Sequence, residues 1–187
     1  MLGGSFNPPH IGHLIMAEEA ARQFGYDAVV LVPALVPPHK ALRCDPGADA
    51  RLAMVRAAAS DWPGFTVDDC ELRRGGVSYT VDTLDQLRAA LAPGDGLGLL
   101  IGDDLAAGFA RWKDPEGVAA RCEIVVGRRS GEPVVGFPVP YRAADNLLVP
   151  VSSSLVRARV ASGGAWMTLV PPSVAAYIVE HELYRCR

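Results

Sequence analysis

The chain is poor in cysteine and lysine, and it has no long hydrophobic run. Cys44, Cys70, Cys122 and Cys186 are scattered without CxxC spacing. That pattern excludes a disulfide framework or a zinc site readable from the sequence, and it points to reduced thiols of a cytoplasmic protein. No apolar stretch approaches the roughly 20 residues that span a bilayer. No basic segment precedes an apolar one at the start, so neither a membrane protein nor a secretory leader is expected. The net charge of −3 argues against broad binding to nucleic acid or anionic membrane. Any anion site must then be a local concentration of positive groups. Internal repeats and low-complexity tails are also lacking. No GxGxxG follows the first strand, which disfavours a dinucleotide-dependent oxidoreductase.

Half of the 187 residues are hydrophobic and about a fifth are charged, which is ordinary globular composition. A chain of this length is expected to form one domain over residues 1–187, with a helical part from about residue 152 onward. Burial of about 70% of its unfolded surface makes staples unnecessary. Of the 18 cationic residues only Lys40 and Lys113 are lysine. Where arginine is so favoured, a lysine beside a histidine in the Pro-rich loop VPPHK is a candidate for a specific task.

The most informative stretch is GGSFNPPHIGH, Gly3 to His13. The glycine pair permits tight geometry and close approach to a ligand. Pro8-Pro9 suits the first turn of a helix, where a missing N–H costs nothing. The helix start that follows offers free N–H groups and a partial positive charge. His10 and His13, three apart, can address one ligand from the same side of a helix. The stretch reads as a phosphate site with two imidazoles aimed into it. A turn whose histidines merely cap or pack is the plain alternative.

Periodicity places a helix over Ile11 to Phe24, stopped by Gly25, and a buried parallel strand over Ala28 to Val32. Together with the opening strand these make one βαβ unit. Pro33 to Pro46 is a loop on the ligand-binding rim of the sheet. Further expectations are a helix over Ala48 to Ser60, a strand over Phe65 to Val67, a turn at Arg74-Gly75-Gly76 and a helix from Tyr79 or Thr80. Strands follow over Leu97 to Ile101, ending at Gly102-Asp103-Asp104, and over Glu123 to Val126, with short helical pieces around Trp112. Gly131 to Tyr141 is irregular, Asn146 to Val149 reads as a last strand, and helices run over Ser152 to Ala161 and Pro171 to Leu183. The order predicts a doubly wound α/β domain with a mostly parallel sheet. The serines at the start of the penultimate helix serve at least as an N-cap.

Taken together, GGSFNPPHIGH and VSSSLVR resemble the GxFxPxHxGH turn and the SSTxxR helix start of a nucleotidyltransferase superfamily. Within it the chain is similar to the bacterial nicotinate-nucleotide adenylyltransferases, through VPPHK, SYTVDTL, IGDDL with Trp112, and the ending YIVEHELY. The resemblance implies a Rossmann-like fold and transfer of the adenylyl group of ATP to nicotinate mononucleotide, with Mg²⁺ accompanying ATP and no protein metal site. It implies that Gly3, Gly4, Ser5, Phe6, His10 and His13 hold the ATP phosphates. Lys40 would face them, and Ser152, Ser153, Ser154 and Arg157 would close over them. Gly102 and Asp104 match positions around adenosine; Thr80 and Trp112 match those at the pyridine ring. A phosphate nucleophile is already ionised at neutral pH, so the histidines would stabilise charge rather than abstract a proton.

Three departures stand out. Asn7 replaces the commoner Asp, Ser154 stands where Thr is usual, and only Met1 and Leu2 precede the glycine pair. The third is shorter than the family's central strand, and it implies a natural start upstream of Met1. Alternatives in the same superfamily are phosphopantetheine or nicotinamide mononucleotide as acceptor. A module that binds nucleotide without turnover is the alternative of another class. A homo-oligomer is left open.

Overall fold

In the computed structural model, which describes residues 1–38 and 42–185, short apolar runs form strands that alternate with helices. The strands are β1 (Leu2–Gly4), β2 (Val29–Pro33), β3 (Phe65–Val67), β4 (Gly98–Gly102), β5 (Glu123–Gly127) and β6 (Arg142–Ala143). They form one sheet in the order β3-β2-β1-β4-β5-β6, and every pairing is parallel. The helices are α1 (Ile11–Phe24), α2 (Ala48–Ser60), α3 (Cys70–Arg74), α4 (Thr80–Ala90), α5 (Asp103–Ala106), α6 (Pro115–Arg121), α7 (Ser153–Ser162) and α8 (Pro172–Glu180). The strand order reverses between β1 and β4. In open α/β sheets the crevice outside the carboxyl ends at such a reversal binds ligands.

Side-chain alternation along the strands builds a core on each face. Leu99, Ile101, Ile124 and Val126 pack with Val81 and Leu84 of α4 and Val118 of α6. Their neighbours Leu100 and Val125 point the other way, against Leu14 of α1, Met54 of α2 and Ile178 of α8. Burial on both faces explains why these strands read as continuous apolar runs rather than alternating ones. Each such side chain contributes about 1.5–3 kcal/mol. β1 has three residues yet lies at the centre, paired with Leu31–Pro33 on one side and Leu100 on the other.

Three expectations about the elements need correction. Asn146 to Val149 is no strand; the last strand is Arg142–Ala143. The Asn146 amide takes over the work of a ladder: Oδ1 accepts the Arg128 N–H at 2.7 Å, and Nδ2 donates to the Arg128 carbonyl at 2.9 Å. The Leu147 N–H is satisfied by Glu19 Oε2 at 2.6 Å, so the segment needs no strand partner. Cys70–Arg74, ahead of the expected turn at Arg74-Gly75-Gly76, is a short helix where no element is expected, and it buries Cys70 and Glu71. The C-terminal helix ends at Glu180, short of Leu183. Glu182 and Tyr184 then take positive φ, turning the Tyr184 ring back into the core. Among the described residues no helix is long and apolar enough to cross a membrane.

Candidate active site

A cavity of about 280 Å³ opens where the carboxyl ends of β1 and β4 diverge. Gly3, Gly4, Ser5, Phe6 and His13 line one side of it. Gly102, Asp104 and Arg129 come from the ends of β4 and β5, and Thr80, Trp112 and Lys113 from the opposite wall. A larger, open groove of about 1040 Å³ lies at the other end of the sheet, along the Pro93–Gly98 loop. It holds none of the motif residues, so the chemistry belongs to the smaller cavity.

The opening turn is held from behind by Arg51 of α2, which is 1% exposed. Its guanidinium donates to the carbonyls of Ser5 and Leu35, each at 3.0 Å, to the Ala34 carbonyl, and to Asp45 Oδ1 at 3.0 Å. One planar fork therefore joins the glycine turn to the loop after β2. Asn7 uses its amide as a carboxylate could not, donating through Nδ2 to the Arg43 carbonyl at 3.1 Å. The departure from Asp at this position thus adds a donor.

His10 is the N-cap residue of α1, and His13 lies in its first turn. The rings stack with centroids 3.6 Å apart, and Phe6 meets His13 edge-on. His13 Nδ1 accepts the His10 backbone N–H at 3.2 Å. The Nδ1 of His13 is thereby occupied as an acceptor, and the residue borders the cavity. His10 is 1% exposed, and its ring nitrogens are buried with no hydrogen-bond partner among the described residues. Burial, with a smaller push from the Arg129 cation, lowers its pKa to about 3. His10 is therefore a neutral ring. Gly12 keeps it in place: a Cβ there would stand 3.1 Å from His10 Nδ1.

The serine helix closes on the turn by direct bonds. Ser153 Oγ donates to the Pro8 carbonyl at 2.8 Å, and Arg157 Nη1 donates to the Asn7 carbonyl at 2.6 Å. Arg157 Nη2 also reaches Ser154 Oγ at 3.2 Å. Ser152 is an N-cap, its hydroxyl accepting the Leu155 N–H at 3.1 Å. Of this group Ser153 lines the cavity, while Ser152, Ser154 and Arg157 stand behind it. Lys40 lies outside the described residues.

At the end of β4, Gly102 leaves room that a side chain would fill. A Cβ there would collide with Asp104 Oδ1 and stand 3.1 Å from Arg129 Cδ. Asp104 and Arg129 meet at 3.6 Å in the vacated space. The intervening Asp103 folds the loop after β5, accepting the N–H groups of Arg129, Ser130 and Gly131 at 3.1, 2.7 and 2.9 Å. Burial raises the Asp103 carboxyl, but those backbone bonds outweigh it and hold the pKa below its ordinary value. Sequence reasoning did not single out Arg129. The signal was present in Arg128-Arg129, directly after a parallel strand on the ligand rim.

The far wall is joined to the loop after β2, since Ser78 Oγ accepts the Leu35 N–H at 2.9 Å. Buried Glu71 accepts the Thr83 hydroxyl at 2.6 Å, fixing the first turns of α4 behind Thr80. Trp112 packs on Phe109 with ring centroids 5.0 Å apart and also borders the cavity. The arrangement offers phosphate donors on one side and an aromatic, hydroxyl-bearing wall on the other.

The family model described as cytidylyltransferase-like matches residues 1–159. A probable nicotinate-nucleotide adenylyltransferase of Stenotrophomonas maltophilia is 40% identical, covering 98% of this chain and 95% of its own. One from Treponema pallidum is 36% identical, covering 99% of this chain and 98% of its own. In fold the chain is similar to the solved Plasmodium falciparum nicotinic acid mononucleotide adenylyltransferase complexed with NaAD. The TM-score is 0.76 at 17% identity, over 100% of this chain and 96% of that one. The chain belongs to the cytidylyltransferase-like family and, within it, to the nicotinate-nucleotide adenylyltransferases.

Proposed function

We propose that the chain transfers the adenylyl group of ATP to nicotinate mononucleotide, yielding nicotinate adenine dinucleotide and pyrophosphate in NAD biosynthesis. The observation that carries this reading is one cavity bordered by His13 and Ser153 on one side and by Thr80 and Trp112 on the other. The first pair suits a triphosphate, the second a flat anionic ring. Membership of the family, on relatives that match nearly the whole chain, supports the same reaction.

A phosphate oxygen of nicotinate mononucleotide attacks the α-phosphorus, and the bond to the bridging oxygen of pyrophosphate breaks. No proton is abstracted. The protein supplies in-line positioning and neutralises charge that builds on the leaving group. His13 donates from Nε2, while its Nδ1 is held by the His10 backbone. His10, a buried neutral ring off the cavity lining, backs His13 by stacking on it and brings no full charge. The backbone N–H groups of Gly3, Gly4, Ser5, Phe6 and Ser153 add donors, and Arg157, Arg129 and Lys40 add positive charge. Gly102 and Asp104 border the adenosine, and Thr80 and Trp112 receive the pyridine ring.

Magnesium belongs with the ATP substrate. Asp104, on the cavity lining, is engaged by Arg129. Both substrates are cytoplasmic metabolites, and we infer that compartment for the enzyme.

The test is a pyrophosphate-release assay with MgATP and three acceptors: nicotinate mononucleotide, nicotinamide mononucleotide and phosphopantetheine. Turnover that is fastest with the first is expected. Turnover with phosphopantetheine alone would move the chain to a sister activity, and none with any would leave a nucleotide-binding module.

A further inference from the structure

Lys113 is one of two lysines in the chain, and the reaction described above gives it no task. It follows Trp112 and borders the same cavity as Tyr79 and Thr80. Its Nζ lies 4.5 Å from the centroid of the Tyr79 ring. The ammonium also donates to both Asp82 carboxylate oxygens, at 3.1 and 2.9 Å. Asp82 itself is not among the residues that border the cavity. Of the ion pair, only the lysine does so.

An ammonium has three donors, and the carboxylate occupies two. The Lys113 and Asp82 side chains are 48% and 37% exposed, so solvent screens their attraction and the ammonium is free to exchange partners. The other described cation on the cavity lining, Arg129, is engaged with Asp104. It stands just after β5, on the loop that Asp103 folds. The aromatic wall thus has a cation of its own.

We propose that Lys113 is a specificity-determining residue. Its ammonium favours an acceptor whose pyridine ring carries a carboxylate over one that carries a carboxamide. This rests on the reading of the Thr80–Trp112 wall as the ring subsite. The carboxylate gains a charge-assisted bond, whereas the neutral amide gains an ordinary one. Asp82 restrains the ammonium and so damps the preference.

The test compares kcat/KM for nicotinate and nicotinamide mononucleotides in the wild type, Lys113→Met and Asp82→Asn. Lys113→Met is expected to lower the value for the acid about tenfold and to leave that for the amide within about twofold. Asp82→Asn is expected to raise the acid-to-amide ratio. Rising salt is expected to erode the ratio in the wild type and to leave it flat in Lys113→Met. Equal losses for both acceptors, or an unchanged ratio in both variants, would overturn the proposal. A wild type that turns over phosphopantetheine but neither pyridine nucleotide would overturn the functional reading itself.

Discussion

The ring of His13 stacks on that of His10 at 3.6 Å, and its Nδ1 accepts the His10 backbone N–H at 3.2 Å. This pairing gives the two motif histidines different work. His13 borders the cavity; His10 backs it as a buried neutral ring. His13→Ala is expected to lower kcat about 100- to 1,000-fold, the cost of losing one preorganised donor at a developing charge. His13→Asn, which keeps an N–H near the site, is expected to recover part of that loss. Single-turnover rates on folded protein check both. Near-normal turnover in His13→Ala would remove the residue from the reaction.

The burial of His10 also carries a pH signature. Its folded pKa is about 3, against an ordinary value of 6.5. Below 6.5 the unfolded chain binds a proton that the folded one refuses, so the stabilisation present above that pH is lost as pH falls towards 3. The loss is about 1.4 kcal/mol per pH unit across that window. Urea unfolding at a series of pH values should show this slope in the wild type. His10→Asn should show a slope smaller by that amount. Equal slopes would mean that the ring is protonated in the folded protein.

Arg51 links the Ser5 and Leu35 carbonyls, and its removal strands buried acceptors as well as Asp45. Arg51→Ala is expected to destabilise the protein by about 3–5 kcal/mol. Arg51→Lys is expected to restore only part of this, because an ammonium cannot reproduce the fork. Chemical denaturation midpoints decide the matter, and a loss below about 1 kcal/mol would deny the linkage.

Asp103 offers a contrasting case, a carboxylate that shapes a loop without bordering the cavity. Asp103→Ala releases three N–H groups and with them the placement of Arg129. KM for ATP is expected to rise about tenfold, the scale of one charge-assisted bond. The thermal midpoint should move little, because the loop is on the surface. A large fall in the midpoint with unchanged KM would make the residue purely structural.

How far the sequence spoke for the structure differs from segment to segment. Strong periodicity and clear stops defined α1, which runs from Ile11 to the Gly25 cap as expected, and the buried runs of β2 and β4 were equally clear. Asn146 to Val149 misled because Asn146, at its head, supplies from its side chain the bonds that a ladder would. Cys70–Arg74 was missed because five residues are too few for a period to show. His13, Ser153, Gly102 and Asp104 border one cavity, whereas His10 is buried behind His13 and is not on its lining. Arg129 was legible only as a charge at the end of a strand, since its loop is folded by a carboxylate from another element. The stacking of the histidines, and the burial that keeps His10 neutral, depend on packing that no spacing reveals.

The most direct measurement follows the label from ATP carrying ³²P at the α-phosphate, incubated with Mg²⁺, nicotinate mononucleotide and the purified chain. Label is expected in nicotinate adenine dinucleotide, with unlabelled pyrophosphate released in equal amount. Label that stays in ATP, or leaves only as AMP, would contradict adenylyl transfer at this site.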